Sequence, residues 1–258
     1  MFRGLYTAWT GMANEQKRLD VISNNMANSN TVGYKDEKVA SQAFDQVLGI
    51  KIRDGSQAYH NECIGSLSLG VKIGETYTDY SQGSVRQTGG TYDLALSGSG
   101  FFTLSVTDKA GEVHTRYTRD GRFHLTKDGL LVDADGNAVQ GQNGNITIDP
   151  SSKNVSISAT GQIMADGELV DTLNIVDFED YDYLKKYGDT MYEPVDGATT
   201  KDAEGEILQG YTEQSNVNVV REMVDMITIT RAYEAGQKVI RSYDSMLDKS
   251  VNQVGALK

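Results

Sequence analysis

The chain has 258 residues, a net charge of -12 and a single cysteine. That length allows one or two domains with proper cores, and a lone Cys63 rules out an internal disulfide framework. With 36 acidic and 24 basic side chains there is no basic stripe to neutralise phosphates, which excludes nucleic acid as a partner.

The first element is a predicted helix from Phe2 to about Asn28, roughly 40 Å long at the helical rise. It carries an apolar ladder with a period of seven, Leu5, Met12, Leu19 and Met26, with Ala8 and Ile22 between the rungs and Glu15 interrupting that second row. The run at 23–35, SNNMANSNTVGYK, ends the helix, because asparagine tolerates the left-handed conformation and Gly33 supplies a turn. No basic region precedes an apolar run of signal-peptide length, and no stretch is long enough to span a bilayer. Direct membrane insertion is not expected, and on these grounds the chain is cytosolic unless it leaves by a route that reads no cleaved signal.

From Tyr34 to Gln87 the pattern is weak, with short alternating segments at Leu67–Ile73 and Glu75–Tyr80. From Asp93 onwards the β signal is clear. Asp-Gly pairs at 120–121, 128–129, 135–136 and 166–167 predict a meander of short antiparallel strands joined by tight turns. Further strands are expected at Asn145–Asp149, Asn154–Ser158, Gln162–Ala165, Glu168–Asp171 and Leu173–Phe178. Both prolines, Pro150 and Pro194, lie in this middle region, which leaves the two ends free for unbroken helices.

The second predicted helix starts after LQGYTEQSNVN, with Ser215, Asn216 or Asn218 as N-cap, and continues to about Val254. Its ladder is Val219, Met226, Tyr233, Ile240, Leu247 and Val254, with Met223 and Val251 in the other half of the stripe. Gly236 inside it lowers helix propensity by up to about 1 kcal/mol, so this helix depends on packing.

The reading that follows is an α+β, mainly β, chain. A helical tail at 1–33 and another at 213–258 form a coiled-coil-like tail domain around a central antiparallel β-rich body at 34–212. Residues 1–30 carry three basic and two acidic side chains, and 216–258 carry six and five, so the charge of -14 sits between them. Near-neutral tails pack side by side in many copies without accumulating repulsion. The first ladder has four rungs and the second six, so a pair within one chain leaves apolar seam uncovered; packing between copies is expected to cover it.

Chemistry-bearing motifs are sparse. Gly98-Ser99-Gly100 precedes a strand, where a phosphate loop opens a helix, and reads as a β turn. Asp133-Ala134-Asp135-Gly136 has the wrong spacing for a calcium loop and reads as a hairpin turn. His60, Glu62 and Cys63 lie close together without a second cluster to complete a metal site, and His114 and His124 have no nearby nucleophile. No catalytic residues, metal or cofactor are expected, and neither is enzymatic activity.

The opening MFRGLYTAWTGMANEQKRLDVISNNMANSNTVGYK resembles the N-terminal signature of the bacterial flagellar rod and hook protein family, through Asn24, Asn25, Ala27, Asn28, Thr31, Gly33, Tyr34 and Lys35. The likeness continues through LALSGSGFFTL at 94–104, YTRDGRFHLTKDGLLVDADGNAVQG at 117–141 and GYTEQSNVNVVREMVDMITITRAYEAGQKVI at 210–240. Within the family, Arg231-Ala232-Tyr233-Glu234 and the chain length are most similar to the distal rod subunit, with proximal-rod and hook subunits as rivals. The resemblance implies a non-enzymatic subunit of the flagellar basal body, exported by the flagellar type III apparatus and assembling with itself and with other rod and hook subunits. It also implies tails that are disordered in the monomer and become concentric helices in the tube. The expected assembly residues are Leu5, Met12, Leu19, Ile22 and Met26 with Val219, Met226, Tyr233, Ile240, Leu247 and Val254 from the two ladders, and Asn24, Asn25, Asn28 and Gly33 from the likeness. A competing reading is a β binding module whose tails merely oligomerise it; a fixed small oligomer, rather than open-ended growth, distinguishes it.

Overall fold

The structure, a computed structural model, describes residues 2–51, 62–108, 111–152 and 154–254. Helix α1 spans Phe2–Ala27, where no proline interrupts it. It stops at the asparagine run, where the Thr31 N–H donates to the Asn28 carbonyl at 3.1 Å and Gly33 adopts φ +71°, a conformation that side-chain-bearing residues rarely take. Helix α2 spans Val219–Lys249, about 46 Å. Glu222 in its first turn and Lys249 in its last each suit the partial charge at their end. A π-helical turn, Ser250–Val254, follows it.

The chain divides into two compact units. One comprises residues 1–26, 37–77 and 219–258, and the other residues 27–36 and 78–218. Residues 37–77 thus group with the helices, whereas the sequence reading set 34–212 apart as one body; the two divisions part in the weakly alternating stretch. The first unit holds both helices and strands β1 (Asp36–Ala43), β2 (Val47–Lys51), β3 (Glu62–Leu67) and β4 (Val71–Asp79). β1 pairs with β4, and β2 pairs antiparallel with β3. β4 is one continuous strand although the sequence suggested a break at Gly74. That glycine marks a close approach, since a Cβ there would stand 3.3 Å from the Ala40 carbonyl oxygen of β1.

The second unit is built from short antiparallel strands. In chain order they are β5 (Val85–Gln87), β6 (Leu94–Ser97), β7 (Phe101–Thr107), β8 (Val113–Thr118), β9 (His124–Leu125), β10 (Leu131–Val132), β11 (Ala138–Gly141) and β12 (Gly144–Asn145). There follow β13 (Val155–Ile157), β14 (Gln162–Ala165), β15 (Glu168–Thr172), β16 (Ile175–Phe178), β17 (Leu184–Tyr187), β18 (Met191–Pro194), β19 (Thr200–Asp202), β20 (Glu206–Gln209) and β21 (Tyr211–Glu213). The main sheet runs β17-β18-β8-β7-β11-β10-β9, with β12 on β11 and β16 bridging β7 and β19. β13-β14-β15, β6-β20 and β5-β21 form smaller sheets.

β7 explains why two cores exist. Its residues Phe101 to Leu104 are all buried, so the strand is covered on both faces, and alternate side chains enter different clusters. Phe102 and Leu104 join Leu94, Leu96, Leu131, Val139, Ile146 and Ile148. Phe101 joins Phe178, Leu184 and Tyr192, with Tyr80, Tyr117 and Tyr181 against them. The Tyr117 and Phe178 rings meet edge to face at 4.9 Å.

Three Asp-Gly pairs form the expected hairpin turns: 128–129 between β9 and β10, 135–136 between β10 and β11, and 166–167 between β14 and β15. In the last, Asp166 and Gly167 both have positive φ, as a two-residue turn of this kind requires. Asp120-Gly121 does something else. β8 pairs with β7 and β18 rather than with β9, and the Gly121 carbonyl accepts from the Leu94 N–H at 2.9 Å. A side chain at Gly121 would strike the Leu94 backbone, so this glycine serves a crossing between distant strands.

Candidate assembly surface

The α1 ladder residues Leu5, Met12, Leu19, Ile22 and Met26 are all half-buried, as are Val219, Met226, Tyr233, Ile240 and Leu247 on α2. The Val254 side chain lies outside the described residues. The other half of the α2 row is Glu222, Ile229, Gly236 and Tyr243, each buried or half-buried, which completes a spacing of alternating threes and fours. Met223 and Val251, assigned to that row from sequence, are exposed instead. Polarity at Glu222 and the missing side chain at Gly236 hid the true row.

Gly236 is small because α1 comes close: a Cβ there would lie 2.6 Å from Met12 Cγ. At the other end of the contact, a Cβ on Gly4 would collide with the Tyr243 phenol. The two helices therefore touch within one chain and run antiparallel, Gly4 by Tyr243 and Met12 by Gly236. At these points the ladders are covered by each other, where the sequence reading expected other copies, and the single chain already holds both as helices.

The polar exit from α1 ties chain segments together. Asn25, buried, makes a reciprocal pair with the Glu37 backbone, its Nδ2 donating to the carbonyl at 2.8 Å and its Oδ1 accepting from the N–H at 3.1 Å. Asn24 is exposed and lines a groove described below. The Asn28 carboxamide oxygen accepts from Thr31 Oγ1 at 3.1 Å. The Gly33 N–H donates to the Glu213 carbonyl at 2.9 Å. Two residues on, Lys35 Nζ lies 2.6 Å from Glu213 Oε1 and donates to the Ser81 carbonyl at 2.8 Å. Arg119 Nη1 reaches Glu213 Oε2 at 3.4 Å and the Gly98 carbonyl at 2.9 Å. Burial pulls the Lys35 ammonium below its ordinary pKa, against the opposing pull of Glu213. Asn216, an N-cap candidate from sequence, is a further tie: it accepts from the Asp36 N–H at 2.8 Å and donates to the Asp79 carbonyl at 2.7 Å. Nothing in the sequence alone pairs residues so far apart, and Glu213 sits in a polar run, YTEQSN, that gives no sign of burial.

Two surfaces of the helical unit stand out among the described residues. Val220, Met223, Val224 and Ile227 of α2 are 72%, 47%, 57% and 54% exposed, and their spacing puts them on one helix face. A groove of about 280 Å³ is lined by α1 residues Lys17, Asp20, Val21 and Asn24 together with Glu37, Val39, Ile73 and Thr76 of β1 and β4. In the β unit, a cavity of about 290 Å³ is lined in part by Asp120, Arg122, Asp133 and Asp189. Burial, aided by Asp120 and Asp135, pushes the Asp133 carboxyl up to about 6. Among the described residues no three His, Cys, Asp or Glu side chains are grouped to hold a metal ion, and no helix is long and apolar enough to cross a membrane. His60 lies outside the described residues.

Three family profiles match the chain in order: Flagella basal body rod protein at residues 5–35, Flagellar hook protein FlgE/F/G D1 domain at 95–165, and Flagellar basal body rod FlgEFG protein C-terminal at 208–254. The chain is 34% identical to the flagellar basal-body rod protein FlgG of Bacillus subtilis, over 98% of this chain and 99% of that one. Identity to FlgG of Agrobacterium fabrum is 34%, covering 95% and 96%. With the rod protein FlgF of Caulobacter vibrioides it is 32% over the full length of both.

Proposed function

The chain belongs to the flagellar basal-body rod protein family, is most like its FlgG members, and is a structural subunit of the rod; from that premise we propose that it polymerises helically through its terminal helices into the torque-bearing axial tube. Its place is the flagellar basal body. The observation that carries the polymer reading is the α2 face bearing Val220, Met223, Val224 and Ile227, which leaves a contiguous apolar surface in water although α2 already packs its ladder inward. The role is mechanical rather than enzymatic, and the doubly covered β7 with its two cores gives the β unit the stiffness that torque demands. Partners in this reading are further copies, other rod and hook subunits, and the flagellar type III export apparatus.

Full-length similarity to a FlgF protein supports a second reading, a proximal-rod subunit. One experiment tests both. In a strain carrying a tagged copy in place of the gene, purified basal bodies labelled for the tag show the chain along the rod. Label at the hook end of the rod supports the distal position, label near the inner ring the proximal one, and absence of label from basal bodies removes the rod reading.

A further inference from the structure

We propose that the exposed α2 stripe of one copy seats in the groove between α1 and strands β1 and β4 of the next copy. This rests on the rod reading above and names the two surfaces that join. The stripe, Val220, Met223, Val224 and Ile227, presents four apolar side chains over two helical turns. The groove supplies a matching shape: half-buried Val21, Val39 and Ile73 form its floor, and exposed Lys17 and Asp20 its rim. At about 280 Å³ it falls just below the range of small-molecule pockets and suits a few aliphatic side chains.

Charge fixes the direction of docking. Arg231 lies one turn beyond Ile227 on the same face, exposed and without an ion-pair partner among the described residues. Asp20 and Glu37 give the groove an acidic side to receive it, and Lys17 on the same rim is complementary in charge to Glu234, the next residue along the stripe's face. Stripe and groove are different patches of one chain. Their union is therefore heterologous, leaves a free stripe at one end and a free groove at the other, and propagates into a helix where a self-complementary patch would close a dimer.

The test uses the full chain in motile cells. A Val21→Cys, Val224→Cys pair in a Cys63→Ser background is oxidised mildly in purified basal bodies and run without reductant. A ladder of disulfide-linked dimers and higher multimers is expected, absent from either single-cysteine chain. Rods that contain the double-cysteine chain but give no ladder overturn the docking and leave the rod reading standing. A wild-type chain missing from basal bodies overturns the rod reading itself, and the docking with it. Should the cysteine pair fail to build rods, charge reversal decides. Asp20→Arg and Arg231→Asp each abolish swimming with export intact, and the two together restore it; a double variant no better than the singles overturns the proposal.

Discussion

Glu213 holds two buried cations with one carboxylate. Lys35, Arg119 and Glu213 are 1%, 3% and 0% exposed at their side chains, so water contributes nothing to their balance. Removing one partner from such a group typically costs 3–5 kcal/mol, because the remaining charge stays buried without compensation. Glu213→Ala should therefore lower the unfolding free energy by about that amount in urea titrations, and Lys35→Met together with Glu213→Leu should recover only part of it, because Arg119 stays buried without its carboxylate. Asp133 offers a pH test. Its folded-state pKa, about 6, lies above the ordinary carboxylate value, so the folded chain binds the proton more tightly and stability falls as pH rises from about 4 to about 6. Asp133→Asn should match the wild type near pH 4 and be more stable near pH 7.5, by on the order of 1–3 kcal/mol. Equal stability at both pH values would mean that Asp133 titrates normally. Lys35 stood out in the sequence only as one position of a family pattern. Its partner lies 178 residues away, a pairing that no local pattern encodes.

At the scale of elements, both helices and the period of seven were legible because they depend on local spacing. The register of the companion row was not. Ile229 is 2% exposed while Met223, placed in that row from sequence, faces out. Gly236 reads as a weak point of its helix, yet it and Gly4 are each the place where the partner helix leaves no room for a side chain. Likewise Asp120-Gly121 has the residues of a hairpin turn and serves a strand crossing, since the Leu94 backbone decides its geometry. The inward and outward faces of α2 should separate stability from assembly. Ile229→Ala should lower monomer stability by about 2–5 kcal/mol, as a buried truncation does. Ile227→Asp should change it by no more than about half a kcal/mol, as exposed substitutions usually do, and still prevent rod building. Calorimetry of the monomer beside a swimming assay with export verified checks both. An Ile227→Asp chain that builds rods would show that the outward face is idle.

At the scale of the whole molecule, the β unit and the helical unit have different tasks. The former buries a strand on both faces and anchors the segment at 33–36 to Glu213, and the latter presents an apolar stripe and a groove on one chain. The class of fold was legible from turn chemistry and periodicity. The grouping of residues 37–77 with the helices was not, because the described side chains of β1 and β4 are mostly half-buried or exposed and so give little alternation. A chain with two unlike complementary surfaces grows without limit, whereas one whose helices served only to oligomerise a binding module would stop at a fixed size. Sedimentation of the purified full-length chain across a wide concentration range distinguishes these outcomes directly. Rod assembly through the helical unit requires mass that keeps increasing with concentration into tubular polymers, and an Ile227→Asp chain that stays monomeric under the same conditions. A single small oligomer of constant mass, unchanged by Ile227→Asp, would contradict it.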